Sequence, residues 1–244
     1  MKLKAVCFDI DGTLYDASQL RLNLVRLWIQ HSVIFSRYRK MRRAFRLKQV
    51  NSVFSSDFSM IEREALVMLG RWDDLGCTGA SAHAIKADFF VKKAIHELNT
   101  CYDVMSRTMM RIRPKAGVVE TFRKLADMGV RIGIFSDFPI DRKLDVLKVA
   151  EYVDFKADSL DCGYLKPDKR CFDYLFDCGK MKGVKASEML YVGDSFSKDV
   201  MGSRQCGWNS VLLGKQKRNE KGVNCHVFRQ WRDFDRWLFS ILEV

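Results

Sequence analysis

Between Ala17 and Ser56 the chain has no acidic residue, and between Ala17 and Leu69 it has neither glycine nor proline. The second absence favours helix, because those two residues are the strongest local breakers. The first leaves Arg21, Arg26, Arg37, Arg39, Lys40, Arg42, Arg43, Arg46 and Lys48 without a sequence-local counter-charge, three quarters of a net charge of +12. Eight cysteines show no CxxC spacing, and the four histidines (His31, His83, His96 and His226) are scattered, so neither a zinc site nor a disulfide framework is indicated. The cysteines are expected to be reduced thiols, mostly buried as small apolar groups. No stretch approaches the roughly 18 consecutive apolar residues of a membrane span, and the N-terminal apolar run is too short for a secretion signal. A cytoplasmic protein is expected.

What is present suits a folded chain of one large domain, or of a core domain carrying a second, smaller one. It has 244 residues, 48% of them hydrophobic and 30% charged, too apolar for disorder. Three short β-rich runs share one design, each ending in a polar group. These are "AVCFD" at Asp9, "RIGIFSD" at Ser136 and Asp137, and "MLYVGD" at Asp194. Helical patterns follow each run, the alternation of a parallel sheet covered by helices. In such sheets ligands bind beyond the carboxyl ends of the strands.

The spacing predicts helices over "RPKAGVVETFRKLADMG", "DRKLDVLKVA", "KPDKRCFDYLFDCG" and "SKDVMGSRQCG", with "VDFKAD" and "NSVLL" as further strands. The closing "FRQWRDFDRWLFSIL" reads as a terminal helix packed through Trp231, Phe234, Trp237 and Leu238. Residues 17–113 differ, with helical periodicity and little strand signal. "SMIE" fits a capping box there, "LGCTGAS" a turn, and residues 81–110 a long helix whose Met109 and Met110 pack where the chain returns to the core. "KQKRNEKG" is a short polar loop. An insertion of helices into an α/β sheet protein is therefore expected. On the basic stretch Ile34, Tyr38, Met41 and Phe45 fall on one side and Arg39, Arg42, Arg43 and Arg46 on the other. That is the pattern of a solvated helix face. The same cations would also suit an anionic substrate, an acidic partner, anionic lipid or nucleic acid.

Asp9 and Asp11 follow a strand directly, although Asp is depleted in strands. Two residues apart on an extended chain they lie roughly 6–7 Å from each other on one face, and Gly12 lets the chain turn there. Carboxylates so close push their pKa values apart unless a cation neutralises them. The arrangement suits metal-assisted chemistry in which one acid is a nucleophile and the other moves protons. Asp194 and Asp199 in "GDSFSKD" add oxygen ligands of the kind Mg²⁺ prefers, and Ser136 and Lys166 supply a hydroxyl and a positive charge for a developing phosphoryl charge. Asp199 at a helix start also fits a capping role.

"DIDGT", Ser136, Lys166 and "GDSFSKD" together resemble, in order and spacing, the four motifs of the haloacid dehalogenase (HAD) superfamily, over residues 1–15 and about 113–214. The insertion after the first motif resembles the helical cap of its subfamily I. The resemblance implies a Rossmann-like parallel sheet with helices on both faces (residues 1–15 and 113–244) and an all-helical cap (residues 16–112). It also implies a Mg²⁺-dependent phosphatase of a small phosphorylated metabolite. Asp9 would form an aspartyl-phosphate and Asp11 would act as general acid and base. Thr13 would position Asp11, and Ser136, the Asp137 N–H and Lys166 would hold the phosphoryl group. Mg²⁺ would rest on Asp9, the Asp11 carbonyl and Asp194, with Asp199 a ligand or just behind. Asp137 stands where many relatives have Asn, and its side chain is expected to turn away from the phosphate. A phosphomutase, or a non-catalytic module binding through the basic cap, are the alternatives; an acid at position 11 disfavours a dehalogenase.

Overall fold

A computed structural model describes residues 2–19, 25, 29, 32–49, 52–140, 142–215 and 225–242. Arg21, Arg26 and His31, and residues 216–222 of the polar loop, lie outside the described residues. Six strands form one parallel sheet: β1 (Ala5–Phe8), β2 (Arg131–Ser136), β3 (Phe155–Asp158), β4 (Met189–Gly193), β5 (Asn209–Leu213) and β6 (His226–Phe228). Their order is β3-β2-β1-β4-β5-β6, that of a doubly wound Rossmann-like sheet, which reverses direction at β1. Phe8 pairs in register with Ile134 of β2 and Val192 of β4. Asp9, Ser136 and Asp194, at or just past the ends of these strands, therefore gather at the carboxyl edge beside the reversal.

Alternation along β1 sends Val6 and Phe8 to one face and Ala5 and Cys7 to the other. Each pair joins a separate buried cluster. Phe8 stacks 4.8 Å from Phe122 and 6.0 Å from Trp231, and the Trp231 indole N–H donates to Thr121 at 2.8 Å.

Between β1 and β2 the described residues form α1 (Ser32–Gln49), α2 (Met60–Met68), α3 (Gly79–Ala87) and α4 (Phe89–Met109). These helices bury an apolar cluster of their own, with Phe35, Phe45, Leu66 and Leu98 at its centre. The capping box is present: the Ser59 N–H donates to Glu62 Oε2 at 2.8 Å and the Glu62 N–H to Ser59 Oγ at 3.4 Å. A fifth helix, α5 (Val118–Asp127), leads into β2, and α6 (Lys169–Cys178), α7 (Met201–Gln205) and α8 (Trp231–Leu242) come later in the chain.

Several expectations are corrected. Arg42 is buried and Arg46 half-buried, because their guanidinium groups meet acids and carbonyls rather than water. The long helix expected over residues 81–110 breaks at Asp88, whose carboxylate accepts the N–H groups of Phe90 and Val91 and so starts α4 afresh. The helix expected from Pro114 begins at Val118, after Gly117 in a left-handed conformation (φ 91°). "DRKLDVLKVA" yields one helical turn, Lys143–Val146, and "SKDVMGSRQCG" opens with a wide π-type turn over Phe196–Val200. "NSVLL" is not the last strand, since β6 follows it with three residues that carry too little alternation to be read. Met109 is buried but Met110 is half exposed. Only Cys7, Cys101 and Cys171 are fully buried, and Cys178 is exposed.

Candidate active site

The turn after β1 places Asp9 at 4% exposure and Asp11 nearby, while the β4 turn brings Asp194 and Asp199. Carboxylate oxygens of Asp9, Asp194 and Asp199 lie within 4.8 Å of one another. Lys166, wholly buried, threads between two of them: Nζ donates at 2.6 Å to Asp9 Oδ1 and at 2.6 Å to Asp199 Oδ1, and at 3.2 Å to the Tyr191 hydroxyl. Asp199 Oδ2 accepts the Ser195 N–H at 2.9 Å, so both its oxygens are engaged.

One buried ammonium does not balance three acids. Burial raises the Asp9 carboxyl to about 7, with Lys166 opposing the rise and Asp199 and Asp194 adding to it. Burial and Asp199 likewise raise Asp194. Lys166 itself is held well above its usual value: burial alone would lower it, but Asp199 and Asp9 outweigh that.

The donor set tests whether Mg²⁺ fits. It is all oxygen, carries excess negative charge and sits beside a backbone turn, as a hard cation requires. Gly12 matters here for two reasons. Its φ is +95°, and a Cβ would lie 2.1 Å from Asp194 Oδ2. Gly12→Ala should displace that carboxylate and weaken Mg²⁺ binding by about 10-fold or more, the loss typical of disturbing a ligand's support. Calorimetric titration with MgCl₂ checks it; wild-type affinity in the variant would remove Asp194 from the cation site.

Asp11 has a separate set of partners. Tyr15 OH donates to Oδ1 at 2.5 Å, Ser136 Oγ to Oδ2 at 3.2 Å, and Lys143 Nζ to both oxygens at 3.1 and 3.2 Å. Burial favours its neutral form, but Lys143, Tyr15 and Ser136 together hold its pKa below the usual carboxylate value. Thr13 does not reach Asp11; its hydroxyl donates to Asp9 Oδ2 at 3.2 Å, because the turn at Gly12 carries it back towards the strand end. The Asp137 carboxylate accepts from Arg46 at 2.7 Å and from the Lys166 N–H at 3.0 Å. Burial would raise this carboxyl, yet Arg46, Lys198, Lys166 and Arg42 drive it far below the usual range.

A family profile described as haloacid dehalogenase-like hydrolase matches residues 3–207. The chain belongs to the haloacid dehalogenase-like hydrolase family. Among curated relatives, the glyceraldehyde 3-phosphate phosphatase of Methanopyrus kandleri is 25% identical over 227 residues, 88% of this chain and 85% of that protein. The phosphoglycolate phosphatase of Pseudomonas fluorescens (strain Pf0-1) is 27% identical over 214 residues, 86% and 69% of the two chains. Among solved structures, the magnesium-bound HAD-hydrolase YfnB of Bacillus subtilis covers all of both chains with TM-score 0.61 and 16% identity, a likeness of fold. As a member of this family the chain is a hydrolase, and both of those curated relatives are phosphatases.

Tyr15, Lys143, Tyr191, Arg42 and Arg46 were not legible as site residues from their own motifs. Tyr15 carries a signal in hindsight, four residues after Asp11 in "DGTLY". Arg46 carries another: a helix without acids must find counter-charge elsewhere, and Asp137 is the acid out of place.

Proposed function

We propose that this HAD-like protein is a Mg²⁺-dependent phosphatase of a small phosphorylated metabolite, with residues 16–112 as a subfamily I cap over a core of residues 1–15 and 113–244. The observation that carries this reading is Lys166 Nζ bound to Asp9 inside a ring of three acids, with a second acid, Asp11, held apart on its own partners. Asp9, the Asp11 carbonyl and Asp194 would hold the cation, with Asp199 keeping Lys166 in place behind them. When bound, Mg²⁺ supplies positive charge to the phosphoryl oxygens.

Asp9 Oδ attacks phosphorus, and the bond from phosphorus to the leaving oxygen breaks as that oxygen takes a proton from Asp11. Water then loses a proton to Asp11 and attacks phosphorus. The bond to Asp9 breaks, phosphate leaves and the carboxylate is restored. Lys166 offsets charge on Asp9 and the phosphoryl group, and Ser136 turns its hydroxyl from Asp11 to a phosphoryl oxygen. The contacts of Asp11 suit the base of the second step. To act as acid in the first it must loosen from Lys143, since that ammonium disfavours the proton.

A cavity of about 20 Å³ between α4 and the loop after β2 is lined by Tyr102, Met105, Met109, Phe138 and Lys143. It has room for about one water, so a leaving group of two or three carbons enters on this side only when the helices move off the core, the motion of a lid. The names of the relatives favour short phosphate esters such as triose phosphates. Among the described residues no helix is long and apolar enough to cross a membrane, in keeping with work on soluble metabolites in the cytoplasm. Hydrolysis of an aryl phosphate with and without Mg²⁺, followed by a panel of two- to six-carbon phosphate esters, tests the reading. Mg²⁺-dependent turnover with a preference for short esters is expected; no turnover of any ester would refute it.

A further inference from the structure

The first described helix of the insertion grips both loops that carry the phosphoryl-binding groups. Arg46 Nη2 donates to Asp137 Oδ2 at 2.7 Å and its Nε to the Lys166 carbonyl at 3.2 Å. One turn earlier, Arg42 Nη2 donates to the Asp137 carbonyl at 2.5 Å. One turn later, the Gln49 amide donates to the Leu165 carbonyl and accepts the Leu165 N–H, the latter at 3.0 Å. The other Asp137 oxygen takes the Lys166 N–H at 3.0 Å. A single carboxylate thus joins α1, the loop after β2 and the loop before α6.

The sign of the charges gives this junction its meaning. Asp137 directly follows Ser136, at the turn that would receive a dianionic phosphoryl group, and a bare carboxylate there would repel it. Among the described residues Arg46 is the cation that forms an ion pair with Asp137, and it comes from the insertion rather than the core. Arg42 is fixed from behind by Glu64 at 3.1 Å and by the Tyr38 and Tyr102 hydroxyls at 2.9 and 3.2 Å, so its hold on the Asp137 carbonyl is rigid.

We infer that Arg46 and Arg42 are positioning residues through which the helical insertion switches on the phosphoryl-binding turn, Arg46 by neutralising Asp137 and Arg42 by fixing its peptide. Seating of α1 on the core and tight phosphoryl binding are then one event. With the helix lifted, Asp137 loses its ion pair with Arg46, its negative charge is less offset, and released phosphate is expelled. The inference rests on the phosphatase reading above.

The test is steady-state hydrolysis of an aryl phosphate with Mg²⁺ by wild type, Arg46→Gln, Arg46→Lys and the double variant Arg46→Gln/Asp137→Asn, with circular dichroism of each. Arg46→Gln should raise KM about 10-fold or more, because it removes the ion pair that offsets the buried Asp137 carboxylate. Removing that charge in the double variant should recover most of the loss. Arg46→Lys, which keeps the charge but not the second hydrogen bond to the Lys166 carbonyl, should fall between wild type and Arg46→Gln and guards against misfolding of the glutamine variant. A merely structural Arg46 would show no recovery in the double variant, and that result would overturn the inference. So would an unchanged KM in Arg46→Gln, or Arg46→Lys as impaired as Arg46→Gln. Wild type without turnover would sink the phosphatase reading and this inference together; wild type active with Arg46→Gln unaffected would sink the inference alone.

Discussion

Asp9→Asn should lose turnover by about 10³-fold or more, the scale seen when a covalent nucleophile is removed, while the protein stays folded. The expectation about folding is the sharper half. Asp9 is a buried acid whose charged form is disfavoured by burial and by Asp199 and Asp194, which raise it to about 7. An acid with a folded pKa above its usual 3.8 binds more protons folded than unfolded between those two values. Its contribution to stability therefore falls as pH rises from about 4 to about 7, and above that the metal-free protein carries the full penalty. The neutral amide of Asn carries none, and Lys166 keeps Asp199. At pH 8 without Mg²⁺ the variant should unfold at or above the wild-type midpoint, and at pH 5 the difference should narrow. Thermal unfolding followed by circular dichroism, beside an aryl phosphate assay, reads both halves. A variant that is active would remove Asp9 as nucleophile, and one that is unfolded would mean the carboxylate holds the turn together.

Lys166→Met should have the opposite signature, losing both activity and stability. The ammonium is wholly buried and lies 2.6 Å from each of two carboxylates. Removing one partner of a buried ion pair costs about 3–5 kcal/mol, which for a chain of this size lowers the unfolding midpoint by roughly 6–20 °C. The deficit should shrink as pH falls, because Asp9, already raised to about 7, then takes up a proton, and it should shrink in Mg²⁺, because a bound cation replaces the lost charge. A methionine variant as stable as wild type at pH 8 without metal would contradict the account of Lys166 as the counter-charge of this cluster.

The two variants mark what could be read from residues alone. The α/β alternation and the three polar strand ends were legible because parallel strands buried on both faces are written as short apolar runs, and the acids that follow them break the pattern. Asp9, Asp194, Asp199 and Lys166 do converge, since Phe8, Ile134 and Val192 lie in register. What was not legible depends on contacts across the fold. The arginines of α1 have no acid in their own helix, and periodicity alone puts them in water. Arg37 meets Glu97, 60 residues on, Arg42 meets Glu64, 22 residues on, and Arg46 meets Asp137, 91 residues on. Lys143 meets Asp11 across 132 residues, from a helical turn too short to show a pattern. Thr13 illustrates the converse: its place in the motif was read, but its partner, set by the local turn, is Asp9 rather than Asp11.

In the proposed reaction Asp9 carries the phosphoryl group between two half-reactions, and Asp11 is needed to complete the second. The most direct measurement is mass analysis of acid-quenched Asp11→Asn after mixing with Mg²⁺ and an aryl phosphate whose leaving group needs no proton. A burst of aryl alcohol close to one equivalent per enzyme is expected, followed by a stall, with one phosphoryl group on the peptide that contains Asp9. Steady turnover without a burst, or a stalled enzyme with no phosphoryl group on that peptide, would contradict it.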